Sequence, residues 1–85
     1  MSAQVEPELV DQLIKLYCDW RSQCWAVRSA YAQFTAAPAE DRTLAYATYR
    51  AALDREEAAA GVYAEQLTLV ASRATTDSRW TSLLA

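Results

Sequence analysis

The large side chains of the first half of the chain recur at alternating intervals of three and four positions. This spacing puts them on one stripe of an α-helix, the seam along which two helices pack in a coiled coil. It predicts a first helix over about residues 6–36, which begins near Pro7 because proline is favoured at the first helical position. The predicted seam consists of Leu9, Leu13, Leu16, Trp20, Gln23, Val27, Ala30 and Phe34.

The second half repeats this spacing and predicts a second helix over about residues 38–74, opened by Pro38 and the acidic residues that follow it. Gly61 interrupts the helix without changing the phase of the pattern, which favours one continuous helix. The alternative is that one helix ends at Gly61 and another begins at Val62. The predicted seam consists of Tyr46, Tyr49, Leu53, Glu56, Ala60, Tyr63, Leu67 and Val70.

The two seams match in reverse order, which predicts an antiparallel hairpin. Trp20 matches Ala60 and Phe34 matches Tyr46, and the residue numbers of each pair add to about 80, as they do along both seams. The short link around Pro38 also forces the helices to be antiparallel neighbours. Gly61 and the run Ala58-Ala59-Ala60 are expected to lie opposite Trp20, because the bulky indole needs small residues across the seam.

A cluster of helix-capping residues at 75–78 predicts a short third helix over about residues 77–84. Trp80, Leu83 and Leu84 would form its apolar face. This face could fold back onto the hairpin, or it could bind in a groove of another protein.

A two-helix hairpin buries only one seam, which rarely offsets the entropy lost on folding. A flanking stripe of apolar residues therefore predicts that two hairpins pair into a homodimeric four-helix bundle, since two-fold dimers are the commonest assemblies. The alternatives are a monomer covered by its own C-terminal segment and a complex with a different protein. The predicted dimer interface consists of Val10, Ile14, Tyr17, Cys24, Tyr31, Val62 and Leu69.

Composition and charge argue against several functions. The net charge is −3, and the eight basic residues are interleaved with acidic ones, so a basic stripe for nucleic acid is missing. The chain has no histidine and one glycine, which removes the usual general base, the usual metal ligand and a phosphate-binding loop. We therefore predict no catalytic, cofactor or metal site and no enzyme activity. We also expect no membrane span and a cytoplasmic location.

Two groups of residues remain candidates for interaction or specificity. Trp25 is predicted to lie opposite the seam beside Arg21 and Arg28, an arrangement typical of a binding hot spot. The alternative is cation–π packing of the indole against an arginine. Gln23 and Glu56 are predicted to meet in the seam as a polar layer that fixes the register, or else as part of a carboxylate site across a dimer axis.

In size and hairpin shape the chain is similar to the small secreted helical effectors of type VII secretion. It lacks their Trp-x-Gly turn, because its own turn reads Thr35-Ala36-Ala37-Pro38, and we do not transfer their function. The residue usage is typical of a high-GC bacterium or its phage. We expect a small regulator or inhibitor that binds a cellular protein. The alternatives are an assembly component and, more remotely, a small enzyme or ligand carrier.

Overall fold

The computed structural model describes residues 6–84, and it describes the side chains of residues 6–75. Helix α1 spans Pro7–Ala36 and helix α2 spans Arg42–Leu84, with one turn of 3-10 helix at Ala39–Asp41 between them. No strand occurs between residues 6 and 84. The all-α prediction is therefore confirmed for this part of the chain.

Both ends of α1 have local causes. Proline at the first helical position lacks an N–H that would have had no partner, and the carbonyl of Glu6 accepts a hydrogen bond from the N–H of Leu9 at 3.0 Å. The helix ends because Pro38 disfavours helical geometry at the residue before it. Ala37 is accordingly extended, with φ −69° and ψ 137°.

The turn is closed by backbone and side-chain hydrogen bonds. The N–H of Asp41 donates to the carbonyl of Pro38 at 2.9 Å, and the guanidinium of Arg42 donates to the carbonyl of Ala37 at 3.3 Å. The α-helical part of α2 therefore begins at Arg42, a few residues later than predicted, because residues 39–41 first form the tighter 3-10 turn.

Contacts at both ends of the hairpin confirm the antiparallel arrangement. Near the turn, the rings of Phe34 and Tyr46 pack with their centroids 5.5 Å apart. At the open end, Arg73 forms an ion pair with Glu6 at 3.0 Å, and the side-chain amide of Gln66 donates to the carbonyl of Leu9 at 3.0 Å. The result is a rod of 67 × 17 × 14 Å.

The predicted seam of α1 is confirmed, because all of its positions are buried or half-buried. Ala30 is the most buried of them, with 6% of its surface exposed. The alternation of three and four positions continues without a break from Leu9 to Phe34, so one stripe of the helix faces its partner along its whole length.

The predicted seam of α2 needs a correction, because Tyr46 and Leu67 are exposed. The seam is rotated toward a row of small and polar residues, and Ala52 on this row is only 1% exposed. Aromatic rings already fill the space between the helices, so small side chains must face them for the backbones to approach. The observed seam is Ala45, Tyr49, Ala52, Glu56, Ala59, Tyr63, Gln66 and Val70.

Gly61 lies inside α2, which confirms the continuous helix. The predicted reason for this glycine is wrong, however. Gly61 is exposed, and a Cβ atom added there would have no neighbour within 4 Å. The indole of Trp20 contacts Glu56 and Tyr63, and the seam position between these two residues is the half-buried Ala59.

The predicted separate third helix is also wrong, because α2 continues without interruption to Leu84. Threonine, aspartate and serine at positions 75–78 are good caps, but each costs only a fraction of a kcal/mol inside a helix. No glycine or proline follows Gly61 in the sequence, so nothing there forces the helix to stop.

Candidate interaction surface

An aromatic cluster joins the two helices in the half of the hairpin nearer its open end. The indole of Trp20 stacks on Tyr63 with centroids 5.7 Å apart and an angle of 7° between the planes. Tyr17 packs against both rings, at 6.0 Å from Trp20 and 5.6 Å from Tyr63. The indole N–H donates to Oε2 of Glu56 at 2.7 Å, so the polar atom of the largest side chain in the seam has a charged acceptor.

A second aromatic cluster lies near the turn. Phe34 stacks on Tyr49 with centroids 6.1 Å apart and planes within 2°. Tyr31 and Tyr46 pack against these rings from the flank, with centroid distances of 5.4 Å from Tyr31 to Tyr49 and 5.5 Å from Tyr46 to Phe34. The two clusters hold the seam together at separate levels, and the most buried alanine of each helix lies between them in sequence.

Glu56 lies in the seam as predicted, but its hydrogen-bond partner is Trp20 rather than Gln23. Gln23 is half-buried in the same region of α1. The role of these two residues as a register-setting layer stays a prediction. In the structure, Glu56 accepts the hydrogen bond of the indole N–H at the helix interface.

One flank of the hairpin is apolar from end to end, and we call it the apolar face. It combines the row of every seventh residue that starts at Val10 on α1 with the row of every seventh residue that starts at Tyr46 on α2. Equivalent rows of two antiparallel helices lie on the same flank of the pair, and the rings of Tyr17, Tyr31 and Tyr46 each contact the seam of the opposite helix. The apolar face consists of Val10, Tyr17, Cys24, Tyr31, Tyr46, Leu53, Ala60 and Leu67.

The apolar face contains no charged residue, and most of it is open to solvent in the single chain. Five of its eight positions are exposed, and Cys24, Leu53 and Ala60 are half-buried. Ile14, which lies beside Val10 and Tyr17 on α1, adds to it with 56% of its surface exposed. Sequence reasoning missed Tyr46, Leu53, Ala60 and Leu67 as members because it placed all four in the seam of α2.

The opposite flank is mixed in character. Val62 and Leu69 lie there on α2, in the same row as Arg55, and the matching row of α1 contains Asp19. Both aliphatic residues are exposed, at 48% and 37%. The residues predicted for the dimer interface are thus divided between two flanks: Val10, Ile14, Tyr17, Cys24 and Tyr31 line the apolar face or border it, whereas Val62 and Leu69 do not.

Trp25 points away from the seam and is 62% exposed. The guanidinium carbon of Arg28, one turn later on α1, lies 5.3 Å from the centroid of the indole, which is the geometry of a cation–π contact. Arg21, one turn earlier, is exposed. A cation–π contact and a role as a binding hot spot are therefore compatible, because the arginine packs on one side of an indole ring that remains open to solvent.

Other predicted features can be placed more briefly. Trp80, Leu83 and Leu84 lie on the last turns of α2, but their side chains are outside the described residues. Within the described part of the chain, no cluster of three or more metal-ligating residues occurs. No helix there is both long enough and apolar enough to cross a membrane.

Comparison with protein-family models, curated proteins and solved structures finds no match to this chain.

Proposed function

We propose that this chain forms a homodimeric four-helix bundle that acts through protein–protein contacts, as a small regulator or inhibitor of bacterial or phage origin. The observation that carries the proposal is the apolar face. A helical hairpin with one uncharged flank has the surface that a second hairpin needs in order to complete a common core.

The single chain exposes more surface than a compact monomer of its mass and has little core of its own. A compact monomer of 9.5 kDa exposes about 5,000 Å², whereas this chain exposes 6357 Å². Part of the difference comes from the last turns of α2, which extend past the ion pair of Arg73 with Glu6 at the start of α1. Among the described residues, no large side chain is fully buried within the single chain, so a second copy would supply the core that one hairpin lacks.

The dimer is tested by introducing charge on the apolar face. We expect the wild-type protein to have the mass of two chains in sedimentation equilibrium. The double variant Ile14→Glu/Leu67→Glu should have the mass of one chain at the same concentration, because two buried carboxylates per subunit would oppose association. Both side chains are exposed in the single hairpin, so the variant should retain its helical circular dichroism at 222 nm.

The matched control places the same charges in neighbouring positions away from the apolar face. The double variant Gln12→Glu/Thr68→Glu changes two exposed residues of the same helical turns, and it should remain a dimer. Unfolding provides a second measurement, because the midpoint of a dimer rises with chain concentration. A wild-type protein with the mass of one chain and a concentration-independent midpoint would overturn the proposed dimer.

We propose that the regulated protein binds to the side of α1 that carries Trp25. Packing through the apolar face leaves this indole pointing outward, and an exposed tryptophan beside arginine is the kind of anchor that dominates binding energy at interfaces. The contact requires neither a cofactor nor a metal.

Trp25→Ala tests this second part of the proposal. Immobilised wild-type protein should retain a specific partner from a lysate of the source cells, and Trp25→Ala should weaken that partner's binding by at least tenfold, as expected for a hot-spot residue. A chain truncated after residue 77 separates the contribution of the C-terminal turns. Unchanged partner binding by Trp25→Ala would contradict the proposal that the binding surface is centred on this residue.

A further inference from the structure

We propose that the two copies are related by a two-fold axis parallel to the helices, so that Glu57 of each chain lies between Arg21 and Arg28 of the other. This inference rests on the proposed dimer and specifies its geometry. It follows from the charged residues that border the apolar face and from the levels at which the observed contacts place them.

Two copies can join through their apolar faces in two symmetric ways. With the axis parallel to the helices, α1 of one chain lies against α2 of the other, and both turns are at the same end. With the axis across the helices, each helix lies against its own copy, and the turns are at opposite ends. The two arrangements bury the same apolar residues, so charged neighbours must distinguish them.

The rows that border the apolar face carry few charges. On α1 this row contains Ile14, Arg21 and Arg28, and on α2 it contains Arg50 and Glu57. All four charged residues are exposed. Within one hairpin the two rows lie on opposite outer edges of the apolar face, so these charges cannot pair with each other inside a chain.

The level of each residue along the rod follows from observed contacts. Ring pairs such as Tyr31 with Tyr49 and Tyr17 with Tyr63 join residues whose numbers add to about 80. Glu57 is therefore level with about residue 23 of α1, which lies between Arg21 and Arg28. A two-fold axis parallel to the helices keeps each residue at the same position along the rod in both chains. The carboxylate of Glu57 therefore lies between Arg21 of the partner subunit and Arg28 of the partner subunit.

The other basic residue on these rows does not oppose this arrangement. Arg50 is level with about residue 30 of α1, near Arg28. Side chains on a helix lean toward its N-terminus, so Arg28 leans toward the open end and Arg50 leans toward the turn. The two guanidinium groups therefore diverge.

The axis across the helices gives a less favourable pattern. Each helix then lies antiparallel to its own copy, and the middle of α1, which contains Arg21, faces the middle of the partner's α1. Arg21 then lies against the Arg21 side chain of the other copy on one side of the dimer, and Glu57 lies against the Glu57 side chain of the other copy on the other side. Like charges at close range are destabilising, so the complementary arrangement is favoured.

Charge reversal tests the pairing directly. We expect Glu57→Arg to raise the dimer dissociation constant by about tenfold, since each dimer would exchange two attractive groups for two repulsive ones at a solvent-exposed rim. Arg21→Glu/Arg28→Glu should have a similar effect. The combined variant with all three changes should return to within about threefold of the wild type, because the charges are then complementary again. Sedimentation equilibrium over a dilution series measures all four constants.

Glu65→Arg is the control, because it reverses an exposed acidic residue of α2 that does not border the apolar face, and it should leave the dissociation constant unchanged. A dimeric wild type whose affinity is unaffected by Glu57→Arg, or not restored in the combined variant, would overturn the pairing while the dimer itself stands. A monomeric wild type would instead overturn the proposed function.

Discussion

Replacing Trp20 with alanine is expected to lower the free energy of unfolding by about 3 kcal/mol, near the lower end of the range for removing a large aromatic side chain from a packed site. The change removes the stack on Tyr63 and the edge contact with Tyr17. It also leaves the carboxylate of Glu56 without the hydrogen bond that it accepts from the indole N–H at 2.7 Å. The expected loss is large because one side chain provides three separate contacts in a small protein.

Trp25→Ala is the matched control, since it removes the same side chain from the outer side of the same helix. We expect its free energy of unfolding to stay within about 0.5 kcal/mol of the wild type, because alanine's higher helix propensity offsets the lost cation–π contact. Urea unfolding followed at 222 nm and at one fixed chain concentration measures both variants. Equal losses in the two variants would show that the seam of α1 is misassigned.

Ala52→Leu is expected to destabilise the protein by about 2 kcal/mol, although it adds apolar surface. Ala52 is 1% exposed in the seam of α2, so a longer side chain would have to push the helices apart or adopt a strained rotamer. The sign of the change in the free energy of unfolding distinguishes steric crowding from hydrophobic stabilisation at this position. If hydrophobicity alone controlled this seam, leucine would stabilise it.

The same substitution at Ala47, an exposed position earlier in α2, provides the comparison. Leucine and alanine have similar helix propensities, so Ala47→Leu should change the free energy of unfolding by less than about 0.5 kcal/mol. Urea unfolding at fixed chain concentration again gives both values. Increased stability in Ala52→Leu would mean that the helices are not in close contact at this level.

Much of the fold could be predicted because its causes are local. The spacing from Leu9 to Phe34 places one stripe on one helix regardless of what covers it. Pro38 interrupts helical geometry wherever it occurs. A short link between two long helices then leaves only the antiparallel arrangement, and the reversed matching of the seams sets its register.

The expected third helix shows where local reasoning fails. Capping residues at positions 75–78 would stabilise the first turn of a helix that began there, but they do not terminate a helix that already runs through them. The cost of a few weak helix formers is small beside the cost of nucleating a new helix. Continuation to Leu84 is therefore the outcome when no glycine or proline intervenes.

The interaction surface depended on a choice that periodicity leaves open. In α2 the row of Tyr46 and Leu67 and the row of Ala45 and Ala52 both combine with Tyr49 to give a seam of correct spacing. Hydrophobicity favours the first row, but the structure uses the second. The sequence by itself determined two antiparallel helices, the turn and the seam of α1. Only the tertiary structure decided which side of α2 faces inward, because that depends on how much space the rings of both helices occupy together.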